Sequence, residues 1–180
     1  MNVTGVSKYP ETPVFGGYMV IHNIPPVFDE NSRILILGSF PSVKSREMQF
    51  FYGHPQNRFW KLLARLFNDD VPADIPDKRS FLLRNRVAVW DVVKSCEIKG
   101  SEDCSITDVT VNDLSIILGK CDISQIFCNG GTSFSLYKKY CADKIGRPAV
   151  KLPSTSPANA AYSIDRLCEQ WKIILTTDSK

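Results

Sequence analysis

Arg33-Ile34-Leu35-Ile36-Leu37-Gly38-Ser39-Phe40-Pro41-Ser42 is the stretch on which the fold turns. Ile34 to Leu37 are continuously apolar and do not alternate, which suits a strand buried on both faces of a parallel sheet. Gly38 stops the run, and a small polar loop follows. Working outward, Val87-Ala88-Val89-Trp90-Asp91-Val92-Val93, Ser124 to Cys128 and Arg147 to Leu152 repeat the pattern, giving four strand candidates.

Helical stripes separate them. Phe59, Leu62, Leu63, Leu66 and Phe67 recur at i, i+3, i+4, i+7 and i+8, an amphipathic helix with one apolar face. A shorter helix is expected around Lys78 to Asn85, another from Val111 to Leu118 with Thr110 as N-cap, and another through Phe134, Tyr137 and Tyr140. Ser156-Pro157 reads as the cap and first residue of a last helix. Lys94 to Asp108 is polar and reads as a long surface loop. Alternation of this kind predicts an α/β fold, a three-layer α/β/α sandwich around a central four-stranded parallel sheet with right-handed crossovers. Residues 1–30 read as an N-terminal arm packed on a single domain spanning 31–180.

The chain has 180 residues and a net charge of +3, which permits a basic patch without demonstrating one. No apolar run reaches the roughly 18 residues of a membrane span, and the N-terminus lacks the pattern of a signal peptide. An intracellular, monomeric protein is expected. The six cysteines form no Cys-x-x-Cys pair and several sit in apolar runs, so buried reduced thiols are expected, with neither metal nor cofactor.

In such sheets ligands bind at the carboxyl ends of the strands. Three polar segments fall there: Gly38 to Ser42, Asn129-Gly130-Gly131, and Pro153 to Pro157. Ser154, Thr155 and Ser156 then lie where a helix N-terminus meets a loop, an anion site. Asn129 is placed to read the edge of a ligand, although Asn before Gly-Gly is also ordinary turn chemistry.

The first loop continues into Tyr52-Gly53-His54-Pro55-Gln56-Asn57-Arg58-Phe59-Trp60-Lys61. With Leu152-Pro153-Ser154-Thr155-Ser156 after the last strand, this resembles the uracil-DNA glycosylase superfamily from about Ile24 onward. Its mismatch-specific branch has a Gly-x-Asn-Pro-Gly loop followed by a His-Pro-x-Asn-Arg-Phe-Trp-Lys segment. Here the position that holds the attacking water in relatives is Phe40, whose side chain cannot hydrogen-bond. The Ser39-Phe40-Pro41-Ser42 version looks like the hypoxanthine-DNA glycosylase (DNA-deoxyinosine glycosylase) branch.

The resemblance implies a monofunctional DNA glycosylase of base-excision repair that flips a deaminated base, hypoxanthine first, out of the duplex and hydrolyses its bond to the sugar. It moves the catalytic amide to Asn57, which would orient the water. His54 is the second catalytic candidate. Gly38, Ser39, Phe40, Pro41, Tyr52 and Asn129 would form the base pocket. Ser42, Lys44, Ser45, Arg58, Ser154, Thr155, Ser156 and Asn159 would contact the DNA. For Asn57 the plainer alternative is a cap on the following helix. A uracil or mismatch-specific glycosylase, and a catalytically inactive nucleic-acid-binding homologue, remain open alternatives. An unrelated nucleotide binder is disfavoured, since no Gly-x-Gly-x-x-Gly or P-loop pattern follows the first strand.

Overall fold

The computed structural model describes residues 12–14, 17–98 and 107–178. From the N-terminus the chain runs β1 (Thr12–Val14), β2 (Gly17–Ile21), β3 (Ile34–Gly38), α1 (Val43–Met48), α2 (Phe59–Phe67), α3 (Ile75–Arg84), β4 (Val87–Asp91) and β5 (Val93–Ile98). It continues through β6 (Thr107–Val111), α4 (Ser115–Leu118), β7 (Gln125–Asn129), α5 (Gly131–Tyr140), α6 (Ala142–Ile145), β8 (Ala149–Leu152) and α7 (Ile164–Trp171). A 3₁₀ segment follows at Lys172–Asp178.

The four expected strands form one parallel sheet in the order β4-β3-β7-β8, flanked by helices. All five residues of β3 and all five of β4 are buried, as their unbroken apolar runs require. Fully burying each Val, Leu or Ile contributes roughly 1.5–3 kcal/mol relative to exposure. The edge strand β8 turns Lys151 to solvent, which protects an open edge from further pairing. At the opposite edge Val27 and Val89 exchange backbone hydrogen bonds at 3.0 and 2.9 Å, so the segment before β3 covers β4. On α2, Phe59, Leu62 and Leu63 are fully buried, and Trp60 and Ala64 widen the stripe.

A second, antiparallel sheet of order β1-β2-β5-β6 lies outside the expected topology. It corrects the surface loop expected over Lys94 to Asp108: both ends of that segment are strand, and its middle, 99–106, lies outside the described residues. The strand was hidden because its buried residues do not alternate, lying three apart across a register shift. Val93 and Cys96 face inward while Lys94 is exposed, so the composition reads polar. Thr110 pairs with Ser95 in β6 rather than capping a helix. The short α4 begins only at Ser115, whose N–H and hydroxyl both donate to Asp113 Oδ1.

Three helix starts also differ. Asp74 caps α3, accepting the Asp77 N–H at 2.8 Å, so that helix begins earlier than its apolar residues suggested. Ser42 caps α1, a helix absent from the sequence reading. The last helix does not begin at Ser156-Pro157; α7 starts at Ile164 behind the Ser163 cap, and residues 156–163 are a loop.

Candidate active site

The carboxyl ends of β3, β4, β7 and β8 open onto one cavity of about 390 Å³, within the size range of small-molecule sites. Nearly every residue singled out in the sequence lines it, from Gly38 to Ser42, Ser45, Tyr52, Asn57 and Asn129 to Ser154, Thr155, Ser156 and Asn159. His54, Lys44 and Arg58 do not.

The loop after β3 makes the apolar wall. Phe40 is 5% exposed. The edge-on contact with His22 has its centroid 5.4 Å away, and the Arg46 guanidinium carbon lies 5.4 Å from the ring centre. Arg46 also donates to the Pro41 carbonyl at 2.7 Å. His22, from the segment after β2, is itself buried and bonded through Nε2 to the Val93 carbonyl at 2.7 Å. Since a carbonyl only accepts, Nε2 carries the proton. Burial lowers the His22 pKa to about 4, so the ring stays neutral.

Tyr52 closes the next side. Its φ of 50° is left-handed, a strained choice for an aromatic residue, and it lays the ring on Phe59 with centroids 3.7 Å apart. One face of Tyr52 is therefore covered by the core. Its hydroxyl is buried without a hydrogen bond of normal geometry. Burial first, then the Asp91 charge, raises its pKa well above the ordinary phenol range, with Asn129 acting against them.

Asp91 is the residue the sequence reading passed over. It ends β4, is 4% exposed and lines the cavity. A Cβ on Gly38 would stand 2.2 Å from its Oδ1, so only glycine at 38 leaves room for this carboxylate. The signal was present: a lone charge inside the apolar run Val87 to Val93, in a strand buried on both faces.

The opposite wall is held by hydrogen bonds. Thr155 is fully buried and is their node. Its N–H donates to Asn129 Oδ1 at 3.0 Å, and its hydroxyl receives Asn129 Nδ2 at 2.9 Å. That hydroxyl donates in turn to Asn57 Oδ1 at 2.9 Å. Asn57 Oδ1 also accepts the Phe59 N–H at 3.0 Å, a two-residue turn leading into α2; the N-cap of that helix is Arg58, not Asn57 as the plainer alternative had it. Arg58 donates to the carbonyls of Thr155, Ser156, Asn159 and Tyr162, fastening the loop from 155 to 162. Trp171 Nε1 donates to the Pro153 carbonyl at 2.9 Å and steadies its start.

These contacts revise several expected roles. Arg58 is a strut, its guanidinium bonded to backbone carbonyls. Thr155 and Ser45 are buried; Ser45 accepts the Gly53 N–H at 3.0 Å and shares a hydrogen bond with Ser42 at 3.1 Å. Asn129 has both amide ends on Thr155. His54 sits off the cavity with Nδ1 accepting the Gln56 N–H at 3.1 Å, a turn contact. Lys44 is exposed and paired with Glu47 at 2.8 Å. The helix N-terminus at the cavity is that of α5, where Gly130, Gly131 and Thr132 join the lining, instead of one at Ser156. Asn159 donates to the Ser154 carbonyl at 2.9 Å, and Ala158 stands beside it at the cavity mouth.

Among the described residues no group of three or more His, Cys, Asp or Glu side chains is arranged to hold a metal ion. Cys121, Cys128, Cys141 and Cys168 are free thiols. Burial pushes the Cys128 thiol up to about 12, which makes it unreactive. No helix among the described residues is long and apolar enough to cross a membrane.

A parallel sheet whose strand ends meet an open cavity lined mostly by uncharged groups, with the buried Asp91 carboxylate among them, defines an α/β fold with a site of small-molecule size. The sequence comparisons make this specific: the model of the uracil DNA glycosylase superfamily matches residues 25–175, and the chain belongs to that family. It is 34% identical over 157 residues to a hypoxanthine DNA glycosylase of Methanosarcina acetivorans, covering 87% of this chain and 98% of the relative. A hypoxanthine DNA glycosylase of Methanosarcina barkeri is 42% identical over 94 residues, 52% of this chain and 60% of that protein. A solution NMR structure from Methanosarcina acetivorans, described as a candidate uracil DNA glycosylase, superposes with a TM-score of 0.73. It is 33% identical, with 86% of this chain and 96% of the other covered.

Proposed function

We propose that this protein is a DNA glycosylase that removes hypoxanthine from deaminated DNA by hydrolysing the bond between base and sugar. The observation that carries this is Phe40. It stands in the cavity wall where relatives in the superfamily place a water-holding Asp or Asn, as in the hypoxanthine branch. The names of the two Methanosarcina relatives point the same way.

A base reaches such a cavity only after leaving the stack. Heterolysis then puts positive charge on the sugar and negative charge on the base. A cavity walled by neutral dipoles with one buried carboxylate beneath it suits that separation, because fixed dipoles act strongly where water is excluded. A DNA substrate supports an intracellular site of action.

The deciding assay compares base release from duplexes carrying inosine, uracil opposite guanine, and xanthine. Efficient release of hypoxanthine is expected. Release of uracil with none of hypoxanthine would make this a uracil or mismatch-specific enzyme, as the His54 to Lys61 segment alone suggests. Binding to a lesion duplex with no base released would make it a non-catalytic homologue.

A further inference from the structure

Asn57 meets the cavity with a fixed polarity. The Phe59 backbone N–H can only donate, and it donates to Asn57 Oδ1 at 3.0 Å. At the far end of the chain of bonds the Thr155 backbone N–H, equally a donor only, is received by Asn129 Oδ1 at 3.0 Å. Asn129 therefore turns Nδ2 to the Thr155 hydroxyl, at 2.9 Å. A hydroxyl has a single proton, so Thr155 accepts from Asn129 and passes its own proton to Asn57 Oδ1, at 2.9 Å. Two backbone donors thus set the direction of every bond between them. Neither amide can be flipped without placing a donor against a donor.

The consequence lies in the lone pairs. A carbonyl oxygen has two, and both on Asn57 are engaged. Nδ2 is the polar atom of that side chain left for the cavity it lines. A water waiting to attack needs a partner that accepts its proton, and Asn57 faces the cavity with a donor.

We infer that Asn57 acts as a hydrogen-bond donor to the departing base rather than as the acceptor that holds the attacking water, and that Thr155 is the positioning residue that fills the second lone pair of its oxygen and so leaves only the donor to the cavity. The inference rests on the glycosylase function proposed above. The glycosidic bond breaks with its electron pair leaving on the base, the water oxygen bonds to the sugar carbon, and the surplus proton ends on the released base. An N–H held against the base stabilises its charge as it develops, which is where a preorganised donor has its effect.

Asn57→Asp separates the two roles. The substitution keeps the shape, but a carboxyl group donates only when protonated and only accepts when ionised. In single-turnover release of hypoxanthine at neutral pH, the variant is expected to lose roughly 100-fold or more and to regain activity as the pH falls through its carboxyl pKa. An Asn57→Asp enzyme that equals or exceeds the wild type at neutral pH overturns the inference, because an ionised acceptor then serves the water.

Thr155→Val removes the hydroxyl with little change of shape. It should lower kcat roughly 10- to 100-fold with KM little changed, Thr155→Ser should restore it, and in an Asn57→Ala background the same change should cost no further activity. Full kcat in Thr155→Val, or no rescue by serine in a variant with wild-type thermal unfolding, removes the positioning role. A wild type that releases no base from any deaminated duplex defeats the activity itself. A wild type that releases hypoxanthine while Asn57→Asp matches it defeats only the polarity.

Discussion

The two walls of the cavity are built by different physics. The wall from Gly38 to Ser42 is packed: Phe40 lies against His22 and under Arg46, and Gly38 gives way to Asp91. The wall from Pro153 to Tyr162 is bonded, with Arg58, Asn129 and Asn57 meeting it through named donors and acceptors. Packing degrades gradually when volume changes. A network with one member removed leaves buried groups unsatisfied and loses geometry at once. The bonded wall should therefore fail abruptly and the packed wall by degrees.

The sharpest break of that contrast is Arg58→Ala. It removes the guanidinium's bonds to four carbonyls, leaving those of Thr155, Ser156 and Asn159 with only a backbone N–H each, and lets the loop from 155 to 162 drift; a misplacement of about 1 Å can cost roughly 100-fold in rate. Single-turnover base release should fall at least that far, with the parallel sheet intact by circular dichroism. Arg58→Lys should recover little, since an ammonium cannot span carbonyls that a planar fork reaches. Recovery to near wild-type rate would show that charge, and not the fork, is what the loop needs.

On the packed wall the largest effect is a pH dependence. His22 has a folded pKa of about 4, below its unfolded value. The unfolded chain therefore binds the extra proton first as pH falls, and stability declines between the unfolded pKa and about 4. Above that window the neutral ring costs nothing; below it the loss is complete, on the order of 3 kcal/mol. Urea unfolding across the window should show this slope in the wild type, and His22→Gln should flatten it.

Gly38→Ala comes next. Its methyl group collides with Asp91 Oδ1, and overpacking of this kind costs roughly 1–3 kcal/mol. Denaturant midpoints should show the loss shrinking in an Asp91→Ala background; equal losses in both backgrounds would mean that the clash is relieved elsewhere. The mildest change is Phe40→Leu, an apolar replacement that keeps the wall closed, with a stability cost of under about 1.5 kcal/mol and retained base release. A collapse of activity there would mean that the aromatic face itself holds the base.

Much of the sheet was legible before folding was considered. Ile34 to Leu37 and Val87 to Val93 announce doubly buried strands because burial on both faces needs apolar residues at every position. The second sheet was not legible, since Val93 and Cys96 are buried three residues apart across a register shift, with the polar Lys94, Ser95 and Glu97 between and beside them. Ser156-Pro157 misled for a related reason. Its local chemistry suits a helix start, but the backbone closes only separate turns there, the Asn159 N–H on the Ser156 carbonyl and the Tyr162 N–H on the Asn159 carbonyl, while Arg58 holds the same carbonyls from across the chain. Asp91 was visible as an oddity, and its meaning came only from Gly38 beside it in the parallel register.

By itself the sequence determined the parallel sheet, the strand-end loops that face the cavity, and the segment from His54 to Lys61 that points to the family. These depend on periodicity and neighbouring residues, which act over a few positions of chain. Only the tertiary structure decided what those residues do. Asn57, Thr155 and Asn129 are distant in the chain, and the direction of each hydrogen bond follows from backbone donors that meet them after folding. A side-chain amide carries both a donor and an acceptor, and which one faces the cavity is settled by its neighbours in space.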